Sequence, residues 1–216
     1  MKSLFDLAMT DWPQERDALH VYALPTVDES ILSPVQNAIC ETGVCSVQPT
    51  GFLHATVSRI PAFRNTVSLD TLTGLQSALS RTTAQISPFD VRLTGPHVLS
   101  ESVGLEGTRT AEWDHLVGSI QRCVSAVLVG AVMPPPPHAP HVSLGYGISE
   151  TPSAPLIEAF DRLDSAREHP LTLSVHIHEV HLLAVHQNST AGVYTWDSIS
   201  SHSLSGQRVG TPSPSG

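Results

Sequence analysis

The chain has 216 residues, a formal net charge of −9, 14% charged residues and 40% apolar ones. That is enough apolar material for the core of one domain, or of one domain in two lobes, and it excludes a disordered protein. The acidic balance argues against a protein that grips nucleic acid through a broad basic surface, so an RNA partner would be a short end or fragment held in a pocket.

Cys40, Cys45 and Cys123 are an odd, sparse set that does not suit a disulfide framework and points to a reducing compartment. No run of 18 apolar residues is present, and the first residues lack the long apolar stretch of a signal peptide. The expectation is a soluble, cytoplasmic, monomeric protein with no membrane partner.

In chain order, residues 19–24 read as a first strand ending at Pro25. Asp28 or Ser30 caps a helix to about Glu41, ended by Gly43. Residues 52–60 form a strand stopped by Pro61. Leu53, Ala55 and Val57 point one way, and His54, Thr56 and Ser58 the other. A second helix covers about 68–84, with Leu69, Leu72, Leu75 and Leu79 on one face.

Pro88 to Leu93 and Glu101 to Leu105 read as two strands joined across Gly95–Pro96. An amphipathic helix follows from about Thr110 to Gly130. Pro134 to Pro137 must be an extended connector. After it come a short strand at His141, a helix over 153–168, a long strand or strand pair over 171–186, and a last strand over 193–199. The order predicts an α+β protein, one domain over residues 1–203, with a disordered Ser/Gly/Pro tail over 204–216.

One local pattern occurs twice: Leu53-His54-Ala55-Thr56-Val57 and Pro140-His141-Val142-Ser143-Leu144. On a strand, each histidine stands beside a hydroxyl two residues on, while the intervening residues face the core. Two imidazoles can supply the proton acceptor and the proton donor that phosphoester cleavage needs near neutral pH. Thr56 and Ser143 can donate hydrogen bonds to phosphate oxygens. The pattern needs no metal or other cofactor and offers no carboxylate cluster to hold magnesium.

This pair of His-x-Thr/Ser motifs, one in each half of the chain, resembles the two-histidine (2H) phosphoesterases. The branch it is most similar to is the 2′-5′ RNA ligases and RNA 2′,3′-cyclic phosphodiesterases. The resemblance covers roughly residues 18–200. It implies a bilobal fold in which two antiparallel sheets flank a central groove, helices pack outside, and both motifs line the groove floor. It implies action on 2′,3′-cyclic or 2′-5′ phosphoester bonds of a nucleotide or RNA end. It further implies His54 as the acid and His141 as the base. Many relatives carry an arginine shortly after the second motif, where this chain has Gly145-Tyr146-Gly147.

Other residues invite a role. His20 and Tyr22 share a face of the first strand and would line the groove, and Tyr146 would either stack on a base or pack in the core. Arg59, Arg64, Arg92 and Arg109 are the available cations, and the sequence places none of them. His176, His178 and His181 form a rival, metal-binding constellation. It is weakened because His181 falls on the opposite face of a regular strand. A non-catalytic nucleotide or RNA-end binder using the same groove is the remaining alternative.

Overall fold

The computed structural model describes residues 1–5, 12–137, 139–167 and 170–206. Among these residues, eight strands and four α-helices follow one another as β1 (Ala18–Ala23), α1 (Glu29–Thr42), β2 (Ala55–Phe63), α2 (Leu69–Thr83), β3 (Phe89–Val98), β4 (Ser102–Gly107), α3 (Ala111–Val127), β5 (His141–Tyr146), α4 (Ala154–Ser165), β6 (Leu171–Ile177), β7 (Glu179–Asn188) and β8 (Val193–Ser203). They build two four-stranded antiparallel sheets, β2-β1-β7-β8 and β5-β4-β3-β6. The fold is α+β, as the strand and helix order predicted, and bilobal, as the resemblance implied.

Local chemistry sets most boundaries. Asp28, Ser68 and Thr110 each turn a side-chain oxygen back to a backbone N–H in the first turn of α1, α2 and α3. Gly43 closes α1 in the left-handed conformation that glycine adopts without strain. Each helix buries one apolar stripe, such as Leu32, Val35 and Ile39 of α1, or Trp113, Leu116 and Ile120 of α3. These stripes and the inner faces of both sheets form one continuous core.

Several sequence expectations are corrected. Pro61 does not end β2, which continues to Phe63. β2 is an edge strand, where a missing N–H costs no ladder bond. Gly95–Pro96 is not the β3–β4 turn but an irregularity inside β3, and the reversal comes where the Leu99 N–H donates to Ser102 O. Leu69 is 82% exposed and leaves the apolar face to Leu75 and Leu79.

Residues 171–186 are a strand pair whose members part company: β6 joins β3 in the second sheet and β7 runs between β1 and β8 in the first. Leu204, placed by composition in the tail, is buried, and the Gly206 N–H donates to Ile86 O. The docked chain therefore runs at least to Gly206, and residues 207–216 lie outside the described residues. Among the described residues, no helix is long and apolar enough to cross a membrane.

Candidate active site

The two sheets meet along β2 and β5, and both motifs sit at that seam. A hollow of about 410 Å³ opens there, lined by His54, Thr56, His141 and Ser143 together with His20, Tyr22 and Tyr146. The structure thus brings together every residue the motifs singled out. His54 precedes the first residue of β2, and His141 is the first residue of β5.

The rings are held alike. His54 Nδ1 lies 3.1 Å from Phe52 O, and His141 Nδ1 lies 3.1 Å from Ala139 O. A carbonyl oxygen only accepts, so Nδ1 carries the proton in both, and Nε2 is left as the nitrogen available to the hollow. His20 repeats the arrangement with Ala18 O at 3.2 Å.

Around His54 the packing is aromatic. Tyr22 stacks on its ring, with centroids 4.1 Å apart and planes 12° apart, and Trp196 meets it edge-on at 5.4 Å. Tyr146 packs edge-on against Tyr194 at 5.1 Å, as one of its two sequence readings had it, and its exposed edge lines the hollow. Burial disfavours charge on these groups. The His54 pKa falls to about 4, chiefly by desolvation and further by the nearby His141. His20 falls to about 3 by desolvation. The Tyr146 phenol is pushed up to about 12, again by burial.

Each motif strand carries an irregularity just after its motif, and β2 carries a second one further on, between the partners of His20 and Ala18. Val21 pairs with Ser58 but Tyr22 with Thr56, so Val57 is an extra residue on β2. Val103 pairs with Gly145 but Gly104 with Ser143, so Leu144 is an extra residue on β5. Such a bulge re-aims the side chains that follow it. On β2 it turns Ser58 into the protein, where it is fully buried, and brings Arg59 into the hollow; Ser58 therefore does not share the His54 face as strict alternation predicted. On β5 the same step brings in Tyr146. Arg59 and Tyr146 are each the fifth residue after their histidine, so the cation absent after the second motif stands after the first.

The other arginines lie elsewhere. Arg109 pairs with Asp114 at the start of α3, Arg92 is exposed on the second sheet, and Arg64 is exposed just past β2.

Sequence reasoning also missed Gln48. It is fully buried, and its side chain donates to Phe52 O and Tyr194 O and accepts from the Tyr194 N–H. Its only sequence signal is a polar residue a few positions before the first motif. The rival histidine set is dispersed by the sheet switch. His176 ends up on β6 beside Asp90 and His181 on β7 beside Glu179. Among the described residues no three His, Cys, Asp or Glu side chains converge to hold a metal ion. His138 lies outside the described residues.

Two sheets flanking a seam with paired, tautomer-fixed imidazoles define a phosphoesterase of the two-histidine class. The model of the 2′-5′ RNA ligase superfamily matches residues 53–189, well over half of the chain, and the chain belongs to that family.

Among solved structures, it is similar to the Thermus thermophilus protein TT0787, with a TM-score of 0.64 at 16% identity, covering 88% of this chain and 100% of that one. It is likewise similar to E. coli LigT complexed with NADP+, with a TM-score of 0.60 at 16% identity, covering 88% and 99%. LigT complexed with 3′-AMP gives 0.59 at the same identity and coverage. At such identities the likeness concerns the fold. No curated protein matches the sequence.

Proposed function

We propose that the protein is a metal-independent phosphodiesterase acting on 2′,3′-cyclic phosphate or 2′-5′ phosphodiester bonds of RNA ends or nucleotides. The observation that carries this reading is the pairing of His54 and His141, each with Nδ1 tied to a carbonyl and Nε2 turned to one shared hollow.

One imidazole takes the proton of the attacking hydroxyl or water while the other protonates the leaving oxygen. The depressed pKa of His54 favours it as the base in the substrate-free site, with His141 as the acid. That reverses the roles the resemblance implies, and the two exchange when the reaction runs backwards. Thr56 and Ser143 donate to the non-bridging oxygens, and Arg59 offsets the phosphate charge in a chain that is acidic overall. Structures of LigT with 3′-AMP, NADP+ and ATP support a nucleotide as the occupant.

The test is incubation, with EDTA present, with a 2′,3′-cyclic nucleotide and a short RNA ending in the same group, resolved by phosphorus NMR. Opening by the wild type and its loss by orders of magnitude in His54→Ala and His141→Ala is the expected result. Full activity of His54→Ala would overturn it. The second reading, a binder without turnover, draws on the missing arginine after the second motif. Calorimetric nucleotide binding without any product would favour it.

A further inference from the structure

Residues 1–5 run beside the hollow and are bonded to the second sheet at two places. The Lys2 N–H donates to Ser100 O at 2.7 Å in the β3–β4 turn, and the Leu4 N–H to Gly147 O at 3.0 Å just after β5. The Thr151 N–H donates back to Met1 O at 3.0 Å. The passage is close, since a Cβ on Gly147 would collide with Lys2 O. Leu4 reaches the hollow and lines it together with Leu99 and Ser100.

Phe5, 3% exposed, carries the segment into the aromatic packing around the seam. It meets Tyr146 of β5 edge-on at 5.9 Å and Tyr194 of β8 at 5.4 Å, so one ring touches both sheets. Trp12 also packs on Tyr194, at 5.7 Å. Each tyrosine leads to a motif. Tyr194 stands edge-on to the His54 ring at 6.5 Å, and its backbone holds Gln48. Tyr146 neighbours the Ser143 hydroxyl, which draws the phenol pKa down against the effect of burial. Phe5 itself does not line the hollow.

We infer that residues 1–5 are a strap across the seam, and that Phe5 is a positioning residue holding Tyr194 and Tyr146, and through them the two motifs, in their working arrangement. The kinetic consequence rests on the phosphodiesterase reading, and the structural one does not. The two imidazoles come from different sheets, so proton transfer at both ends of one phosphoester needs the sheets held in register to a fraction of an ångström. A ring wedged between two others supplies that, because a close-packed interior does not yield without opening a void.

The inference is tested on Phe5→Ala and on Gly147→Ala, which displaces the strap and leaves Phe5 in the chain. kcat and KM are measured with 2′,3′-cyclic AMP, and proton uptake by His54 is followed by NMR of its imidazole. Phe5→Ala is expected to lower kcat by about 10–100-fold with KM changed much less. His54 should titrate above its wild-type value of about 4, as a loosened Tyr194 admits water. Gly147→Ala should give the same two changes, and Phe5→Leu, which keeps most of the apolar volume, should restore most of the wild-type behaviour.

An unmoved His54 titration in both variants would overturn the strap, however far their urea midpoints fall, and so would a loss confined to KM. Should Phe5→Ala fail to fold, Gly147→Ala decides. A wild type that turns over no ester would sink the phosphodiesterase reading and leave the titration to decide the strap. An active wild type whose variants keep its kcat and its titration would overturn the strap alone.

Discussion

Gln48 and His54 hydrogen-bond to the same atom: the Phe52 carbonyl oxygen accepts from Gln48 Nε2 at 2.7 Å and from His54 Nδ1 at 3.1 Å. The glutamine thereby fixes the carbonyl that fixes the ring, and its other bonds tie both to the β8 backbone at Tyr194. Replacing it by alanine strands buried backbone groups, which costs about 1–3 kcal/mol for each group left unpaired. Gln48→Ala should unfold at lower urea concentration and lose kcat by roughly tenfold, with KM changed much less. A variant destabilised but with wild-type kcat would confine Gln48 to folding.

Arg59 is the cation the groove supplies. Arg59→Ala should lower kcat/KM for a nucleotide substrate by about 10–100-fold, the loss of one charge-assisted contact of roughly 1.5–3 kcal/mol. Arg59→Lys should recover part of it, lacking the planar fork that grips phosphate oxygens in pairs. The wild-type rate should fall with added salt more steeply than that of Arg59→Ala. Identical salt slopes would place Arg59 away from the phosphate.

Two buried histidines make the protein acid-sensitive. His20 and His54 are held to about 3 and about 4, whereas the unfolded chain takes up its imidazole protons near the usual 6.5. Below that value the unfolded state binds protons the native state refuses. Stability from these groups is complete above pH 6.5 and drains away as pH falls towards 4 and then 3. Urea midpoints should decline across that window. The acidic limb of kcat/KM should lie near pH 4 if neutral His54 is the base. A limb at the ordinary imidazole value would count against that assignment.

The Gly-Tyr-Gly after the second motif has a packing origin. A Cβ on Gly145 would stand 2.2 Å from Ser46 O. The segment after α1 lies along β5 there, with Ser46 N–H donating to Tyr146 O and Gln48 N–H to Leu144 O, each at 2.9 Å. Gly145→Ala should therefore push that segment away and disturb Gln48 as well. It should cost several-fold more stability than Gly51→Ala, where a Cβ meets nothing within 4 Å. Equal unfolding midpoints for the two variants would refute the close approach.

The sequence made the motif pair legible because His54, Thr56, His141 and Ser143 obey a two-residue strand period over a few positions. It failed where pairing between strands overrides that period. Nothing local to Val57 or Leu144 announces that each is an extra residue, yet those bulges decide that Arg59 and Tyr146 face the hollow. Pro61 misled for a similar reason, since its cost depends on whether β2 has a neighbour on that side. The run over 171–186 reads as a strand pair, but its division between two sheets at His178 is a property of the whole fold, and it is what disperses His176 and His181.

The first sheet is closed by the last strands of the chain. His54 is made early, yet the aromatic ring meeting it edge-on, Trp196, and the Tyr194 backbone that braces Gln48 both arrive on β8. During synthesis the first histidine must wait, unhoused, until β8 has left the ribosome. A chain that stops before β8 would lack both the ring and the backbone that hold this histidine in place.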